Sequence, residues 1–222
     1  MHRKILNSFF ALFLIGAVSC SDLHNTQKTA VLESAEQVEI KEDLVAEDPE
    51  MVAFIMPYKQ QMDSIMNEVI GYSDEDMGSK TPDSKLPQFV LEVIRKQAEK
   101  VTGEKIDLAM VNLGGLRSPI YKGPVTVGNI YSTFPFENAL TIVTIKGRAI
   151  KDLYKLVDDR KRLAVTRLDN IDDKKEYRLA TIDYLVDGND NASMLGSSFN
   201  REDTGIMLRD LIIDYYRSNN KK

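Results

Sequence analysis

The 222-residue chain has two histidines and one cysteine, and where they lie matters more than how few they are. His2, Cys20 and His24 all fall within the first 24 residues, so everything beyond lacks both imidazole and thiol. That absence excludes Ser-His-Asp and Cys-His nucleophile systems, histidine general bases, and most zinc or dinuclear metal sites, which depend on imidazole ligands. A lone cysteine also excludes a disulfide framework. Carboxylate, lysine, tyrosine and serine chemistry survive the census. A glycosidase-like carboxylate pair is not removed by counting acids, yet no pair stands out from the surface charge. A basic surplus is missing too: 29 Lys and Arg stand against 34 Asp and Glu, a net charge of −5. Nothing here points to a nucleic-acid polymer as partner.

What is present begins with a leader. "MHRKILNSFFALFLIGAVSC" has a basic start at Arg3 and Lys4, a largely apolar run from Ile5 to Val18, and small residues before Cys20. It reads as a secretory signal, too short for a comfortable membrane span. Ala17-Val18-Ser19-Cys20 looks like a bacterial lipobox, with Ala17 where leucine is usual; residues 1–19 would be removed and Cys20 lipidated. Loss of Arg3 and Lys4 leaves 27 basic and 34 acidic residues, a net charge of −7. Residues 21–50 carry eight acids from Glu33 onward and no aromatic residue. We therefore expect an acidic tether over 20–47 and one folded domain over 48–222, long enough for a single hydrophobic core.

Within that domain, Asp48-Pro49 opens a helix whose Val52, Ile55, Met56, Met62, Ile65 and Met66 recur at helical spacing, with a kink expected at Pro57. A methionine stripe of this kind is expected in a core. "NEVIGYS" reads as a short strand. A second helix runs from about Ser84 to Val101 and stops at Gly103. "DLAMV", "ALTIVTIKG", "LAVTRL" and "EYRLATIDYLV" read as strands, with a helix over about Arg148–Asp159 and a last one over about Thr204–Arg217 behind an Asp203 or Thr204 cap. Helices and strands alternate throughout, which predicts an α+β fold of mixed α and β layers in a single domain.

The informative stretch is "VNLGGLRSPIYKGPVTVGNIYSTFPFEN", Val111 to Asn138. Glycines after a strand permit positive φ or the close approach of a ligand to the backbone. Asn112 donates and accepts, and Arg117 offers a planar fork suited to phosphate or carboxylate. Alone, this loop reads equally well as a strand, a tight turn and a solvated arginine. Its neighbours add weight: "STFPFENALTIVTIKGRAI" and "YRLATIDYLVDGNDN" follow in order. Over roughly Met62 to Arg217 the chain resembles the C-terminal domain of the 5'-nucleotidase and UDP-sugar hydrolase family, whose marks fall on Asn112, Gly114, Gly115, Arg117, Gly123, Thr126, Pro135, Phe136, Asn138, Gly147, Tyr184, Gly188 and Asp190.

That resemblance implies a nucleoside pocket in which Phe136 and Tyr184 clamp the base, Asp190 holds ribose hydroxyls, Asn112 meets the base side and Arg117 the phosphate side. Three departures bear on it. Lys80 stands where the family has a phosphate-reaching arginine, keeping the charge without the bidentate fork. The Gly-Gly-Asp-Gly loop has become Gly188-Asn189-Asp190-Asn191, in which asparagine still tolerates left-handed backbone. Tyr184 replaces a phenylalanine. In the family, two divalent metals and the catalytic His-Asp pair sit on a separate N-terminal metallophosphatase domain, which the histidine census independently fails to find here. The resemblance thus implies a lipid-anchored specificity domain in the bacterial cell envelope that holds a nucleoside 5'-phosphate for a metallophosphatase on another chain, with no cofactor of its own. Two rivals stay open: a nucleoside-binding lipoprotein without a catalytic partner, and a degenerate domain kept for protein contacts.

Overall fold

The computed structural model describes residues 46–193, 195 and 200–219. The expected signal peptide, Cys20 and nearly all of the expected tether lie outside those residues. In chain order the described elements are helix α1 (Pro49–Met66), strand β1 (Val69–Ser73), α2 (Lys85–Thr102), β2 (Leu108–Asn112), β3 (Gly123–Thr126), α3 (Val127–Thr133), β4 (Ala139–Lys146), α4 (Gly147–Arg160), β5 (Leu163–Val165), β6 (Glu176–Ile182), the short α5 (Asp183–Val186), β7 (Asn200–Met207) and α6 (Leu208–Asn219). The fold is α+β in one domain, as the alternating pattern predicts.

Five strands form the central sheet in the order β5-β2-β6-β4-β7, with β2 and β6 parallel and the other neighbours antiparallel. All five residues of β2 are buried. Side chains alternate between faces along a strand, so both faces of the sheet are covered at its centre. Helix α2 supplies much of that cover, packing along β2, β4, β5 and β6 through Leu86, Val90, Val93, Ile94 and Ala98. It ends at Gly103, whose φ of 70° is the left-handed cap that glycine supplies without a Cβ penalty. A smaller antiparallel pair, β1 with β3, stands apart from the main sheet.

This topology gathers one edge. Because β2 and β6 are parallel, Asn112 and Ile182 both end there. Because β4 runs antiparallel to β6 with Leu140 opposite Ile182, β4 begins there, and β7, pairing Met207 with Ala139, ends there. Four loops that are far apart in sequence therefore open on the same side.

Four expectations fail. The methionine-rich stripe of α1 is not core: the helix has no buried residue, and among the described elements its main packing partner is α3, at one end. "LAVTRL" is strand only over Leu163–Val165. "EYRLATIDYLV" leaves the sheet at Ile182, and Asp183–Val186 coil into a helical turn. Asn200–Met207 pair with β4 as an edge strand, so α6 starts at Leu208 rather than Thr204. There the Asp203 and Thr204 side chains bind Thr141 and the Leu140 carbonyl instead of capping a helix. The sequence reading also missed β3 and α3. Thr126 and Asn129 close a capping box at the α3 start, a spacing that marks a helix start once asparagine is allowed at its third position. Among the described residues no helix is long and apolar enough to cross a membrane.

Candidate functional site

At the gathered edge, β2 delivers Asn112 into a single helical turn, Leu113–Gly115. The Asn112 side chain is buried, 6% exposed. Its Nδ2 donates to Asp190 Oδ2 at 2.8 Å, across 78 residues of sequence. Its Oδ1 is buried with no hydrogen-bond partner among the described residues. A buried acceptor without a donor costs about 1–3 kcal/mol, so this oxygen marks a place where a donor from outside would be welcome. Gly115 makes room for it: a Cβ there would stand 2.8 Å from Oδ1. Neither Gly114 nor Gly115 has a positive φ. Of the two uses open to a glycine pair, positive φ is not taken up here, and at Gly115 the missing side chain serves space. Gly114 is exposed, and a Cβ on it would meet only Asn112 Nδ2, at 3.7 Å.

Asp190 sits at φ 51°, ψ 28°, a left-handed position that aspartate tolerates better than most residues. Gly188, at φ 93°, supplies the preceding left-handed turn. The strain falls on Asp190 alone, since glycine takes a positive φ freely, while Asn189 ties the loop back through its Nδ2, which donates to the Tyr184 carbonyl at 2.9 Å. A second tether comes from β7. Arg201 Nη1 donates to Asp187 Oδ1 at 2.7 Å and Arg201 Nε to Asp203 at 2.9 Å; these carboxylates raise the Arg201 pKa. Burial opposes ionisation of Asp203, but hydrogen bonds from Arg201 and Thr141 outweigh it and hold that carboxyl below its usual range.

Of the two aromatic residues expected to clamp a base, Phe136 lines a small cavity together with Asn112, and Tyr184 stands in the helical turn that follows β6. Phe136 is 48% exposed and Tyr184 39% exposed, and neither makes a ring contact with another aromatic among the described residues. The Asp183 carboxylate joins their supports, accepting from Ala139 N at 3.1 Å and Tyr184 N at 2.7 Å. Sequence reasoning missed the other brace, Arg209. Its side chain is 12% exposed, lies 4.4 Å over the Tyr131 ring, donates to the Phe134 carbonyl at 3.5 Å and approaches Glu137 at 3.8 Å. Next to it, Leu208 N donates to the Asn138 carbonyl at 2.8 Å. The Phe136 loop is thus held on both sides by the first residues of α6, a long-range contact with no local pattern to announce it.

Arg117 and Lys80 complete the set. Ser79 Oγ donates to the Leu116 carbonyl at 3.2 Å, and Met77 and Ile120 exchange backbone hydrogen bonds at 2.7 and 3.0 Å. The Lys80 segment therefore runs beside the Arg117 segment. Both side chains are exposed, with no ion pair or side-chain hydrogen bond among the described residues. At this edge a cavity of about 10 Å³ is lined by Asn112, Gly115, Phe134, Phe136 and Asn138 among others, too small by itself to enclose a ligand. Larger hollows of about 440 and 650 Å³ lie elsewhere, along α2 and α6, and contain none of these residues. Neither is lined by a buried side-chain polar atom without a partner among the described residues, as Asn112 Oδ1 is, and the gathered edge is the better candidate. No group of three or more His, Cys, Asp or Glu among the described residues could hold a metal ion.

Residues 69–164 match the family model of the 5'-nucleotidase C-terminal domain. Over that stretch the chain carries the C-terminal domain of the 5'-nucleotidase family. The matched stretch includes Lys80, the Asn112–Arg117 loop and Phe136, and it ends before Tyr184 and Asp190. The domain is 31% identical over 154 residues to endonuclease YhcR of Bacillus subtilis, covering 68% of this chain and 12% of that protein. It is 25% identical over 195 residues to NAD 5'-nucleotidase of Haemophilus influenzae, covering 66% and 32%. A 5'-nucleotidase precursor from Thermus thermophilus shares the fold, with a TM-score of 0.66 at 21% identity over 79% of this chain and 41% of that one. This chain accordingly spans well under half the length of each.

Proposed function

We propose that this 5'-nucleotidase C-terminal domain is the nucleotide-reading half of a split 5'-nucleotidase, holding a nucleoside 5'-phosphate for a metallophosphatase on a separate chain. Phe136 and Tyr184 stack on the base, Asp190 accepts from ribose hydroxyls, Asn112 Oδ1 takes a donor from the ligand, and Arg117 with Lys80 meets the phosphate. The observation that carries the reading is the buried, unpartnered Asn112 Oδ1, hydrogen-bonded through the same amide to Asp190 at the sheet edge to which the exposed Phe136 and Tyr184 also belong. A flat base stacks on an aromatic ring for about 1–3 kcal/mol irrespective of its identity, and a guanidinium is suited to phosphate oxygens. The divalent metals and the water they activate belong in this proposal to the partner chain. Lipidation of Cys20 would hold the domain at the bacterial cell envelope.

Binding by this half alone is weak, because two stacks and a few polar contacts must offset several kcal/mol of association cost. Dissociation constants from tens of micromolar to millimolar are of the order expected. Calorimetric titration of AMP with manganese into the protein tests the proposal. A saturating isotherm without turnover, abolished in Phe136→Ala at unchanged melting temperature, is the expected result. Steady heat from turnover would show that the chain is catalytic alone, and affinity indifferent to Phe136 would remove this edge from the account.

A further inference from the structure

Helix α1 carries an unusual surface. Phe54, Ile55, Tyr58, Met62 and Ile65 are 67, 48, 64, 59 and 51% exposed, yet they lie on one stripe about 100° wide at 3.6 residues per turn. Within it Ile55, Tyr58, Met62 and Ile65 follow a 3-4-3 spacing, the repeat of a seam that packs against another helix. Pro57 falls outside the stripe, about 110° around the helix from its middle. The helix is anchored at its C-terminal end: Met66 approaches Gly128, whose added Cβ would stand 3.0 Å from the Met66 carbonyl, and Val127 N donates to the Glu68 carbonyl at 3.0 Å. The family match starts at residue 69, so the stripe lies outside the matched region.

We propose that this stripe is a dimer interface, and that it pairs with the same stripe of a second copy of the chain. Three observations select that occupant. The 3-4-3 spacing calls for a helix rather than a flat surface. Interfacial membrane helices carry lysine and arginine on their polar face, whereas the polar face here has a single lysine, Lys59, already paired with Asp63. The seam is also self-complementary: in an antiparallel pairing Ile55 meets Ile65 and Tyr58 meets Met62, and the same contacts recur on the other side of the two-fold axis, as an isologous interface requires. Aromatic side chains bury about 150–250 Å² each. Two such stripes face to face therefore approach the lower end of what a stable dimer buries, about 1,200 Å² in total.

Sedimentation equilibrium of the full chain over a concentration series tests this, beside Tyr58→Glu/Met62→Glu and a Met56→Glu control placed off the stripe. The expected result is a concentration-dependent monomer–dimer equilibrium in the wild type and in Met56→Glu, with the double variant monomeric at least tenfold above the wild-type dissociation constant. Its far-UV helical signal should be unchanged, which separates a lost interface from a melted helix. A wild type that stays monomeric overturns the proposal and leaves the stripe to a different partner or to the preceding residues of the chain. A dimer that survives the double substitution places the interface elsewhere and overturns it equally. Neither outcome depends on nucleotide binding.

Discussion

The two ends of the candidate site are built differently. At one end, Asn112 is buried, fixed by Gly115 behind it and by Asp190 in front, and Asp190 is in turn held by a loop tied through Asn189 and Arg201. At the other, Arg117 and Lys80 lie exposed, with no side-chain partner among the described residues. The first end is arranged before any ligand arrives, which limits the entropy lost on binding and makes it selective. The second offers mobile positive charge, which attracts an anion without specifying its shape. In the proposed reading the contrast makes nucleoside recognition and phosphate attraction separable, and substitutions should pull them apart.

The largest effect is expected at Gly115→Ala. Its Cβ would stand 2.8 Å from Asn112 Oδ1 and must displace a buried amide, at about 1–3 kcal/mol. Thermal denaturation should show a drop of roughly 2–4 °C per kcal/mol, together with loss of nucleoside affinity. Next comes Asp190→Gly. Relief of the left-handed conformation offsets the lost hydrogen bond, so stability should stay within about 0.5 kcal/mol while calorimetry shows adenosine binding weakened by roughly tenfold, about 1.4 kcal/mol. Arg117→Ala should be neutral for stability and for adenosine. It should weaken AMP several-fold, on the order of 1 kcal/mol, and flatten the salt dependence of AMP affinity.

The smallest effect concerns pH. Asp203 has its folded pKa lowered, so its contribution is fully present above its unfolded pKa of about 3.9 and is lost as pH falls below that value and through the lower folded pKa. Melting temperatures measured from pH 6 down to pH 3 should fall less steeply below pH 4 in Asp203→Asn than in the wild type. A parallel decline in the two proteins would remove Asp203 from the loop's support.

Local patterns made much of this legible. Helix α2 declared itself by its apolar spacing and by Gly103, and β2 and β4 by apolar runs before and after the glycine-rich stretch. The resemblance brought Asn112, Phe136, Tyr184 and Asp190 together, and the topology places all four at one sheet edge. What stayed hidden depends on partners distant in sequence. β7 reads as the start of a helix until β4 is beside it, because an edge strand rich in Asp, Glu and Arg has little apolar alternation. Arg209 looks like a solvated helix residue until the Phe134–Glu137 loop closes over it. The α1 stripe misled for the opposite reason: periodicity shows that a face is apolar but not whether this domain is what covers it.

The most direct test of the central claim is a ¹⁵N-resolved NMR titration, first with adenosine and then with inorganic phosphate, following the Asn112 side-chain amide and the Arg117 Nε–H. Adenosine should shift the Asn112 amide together with the backbone signals of Phe136 and Tyr184 and leave Arg117 in place, whereas phosphate should shift Arg117 alone. An Asn112 amide that does not respond to adenosine would contradict the account, because the orphaned oxygen on which it rests would then have no ligand to meet.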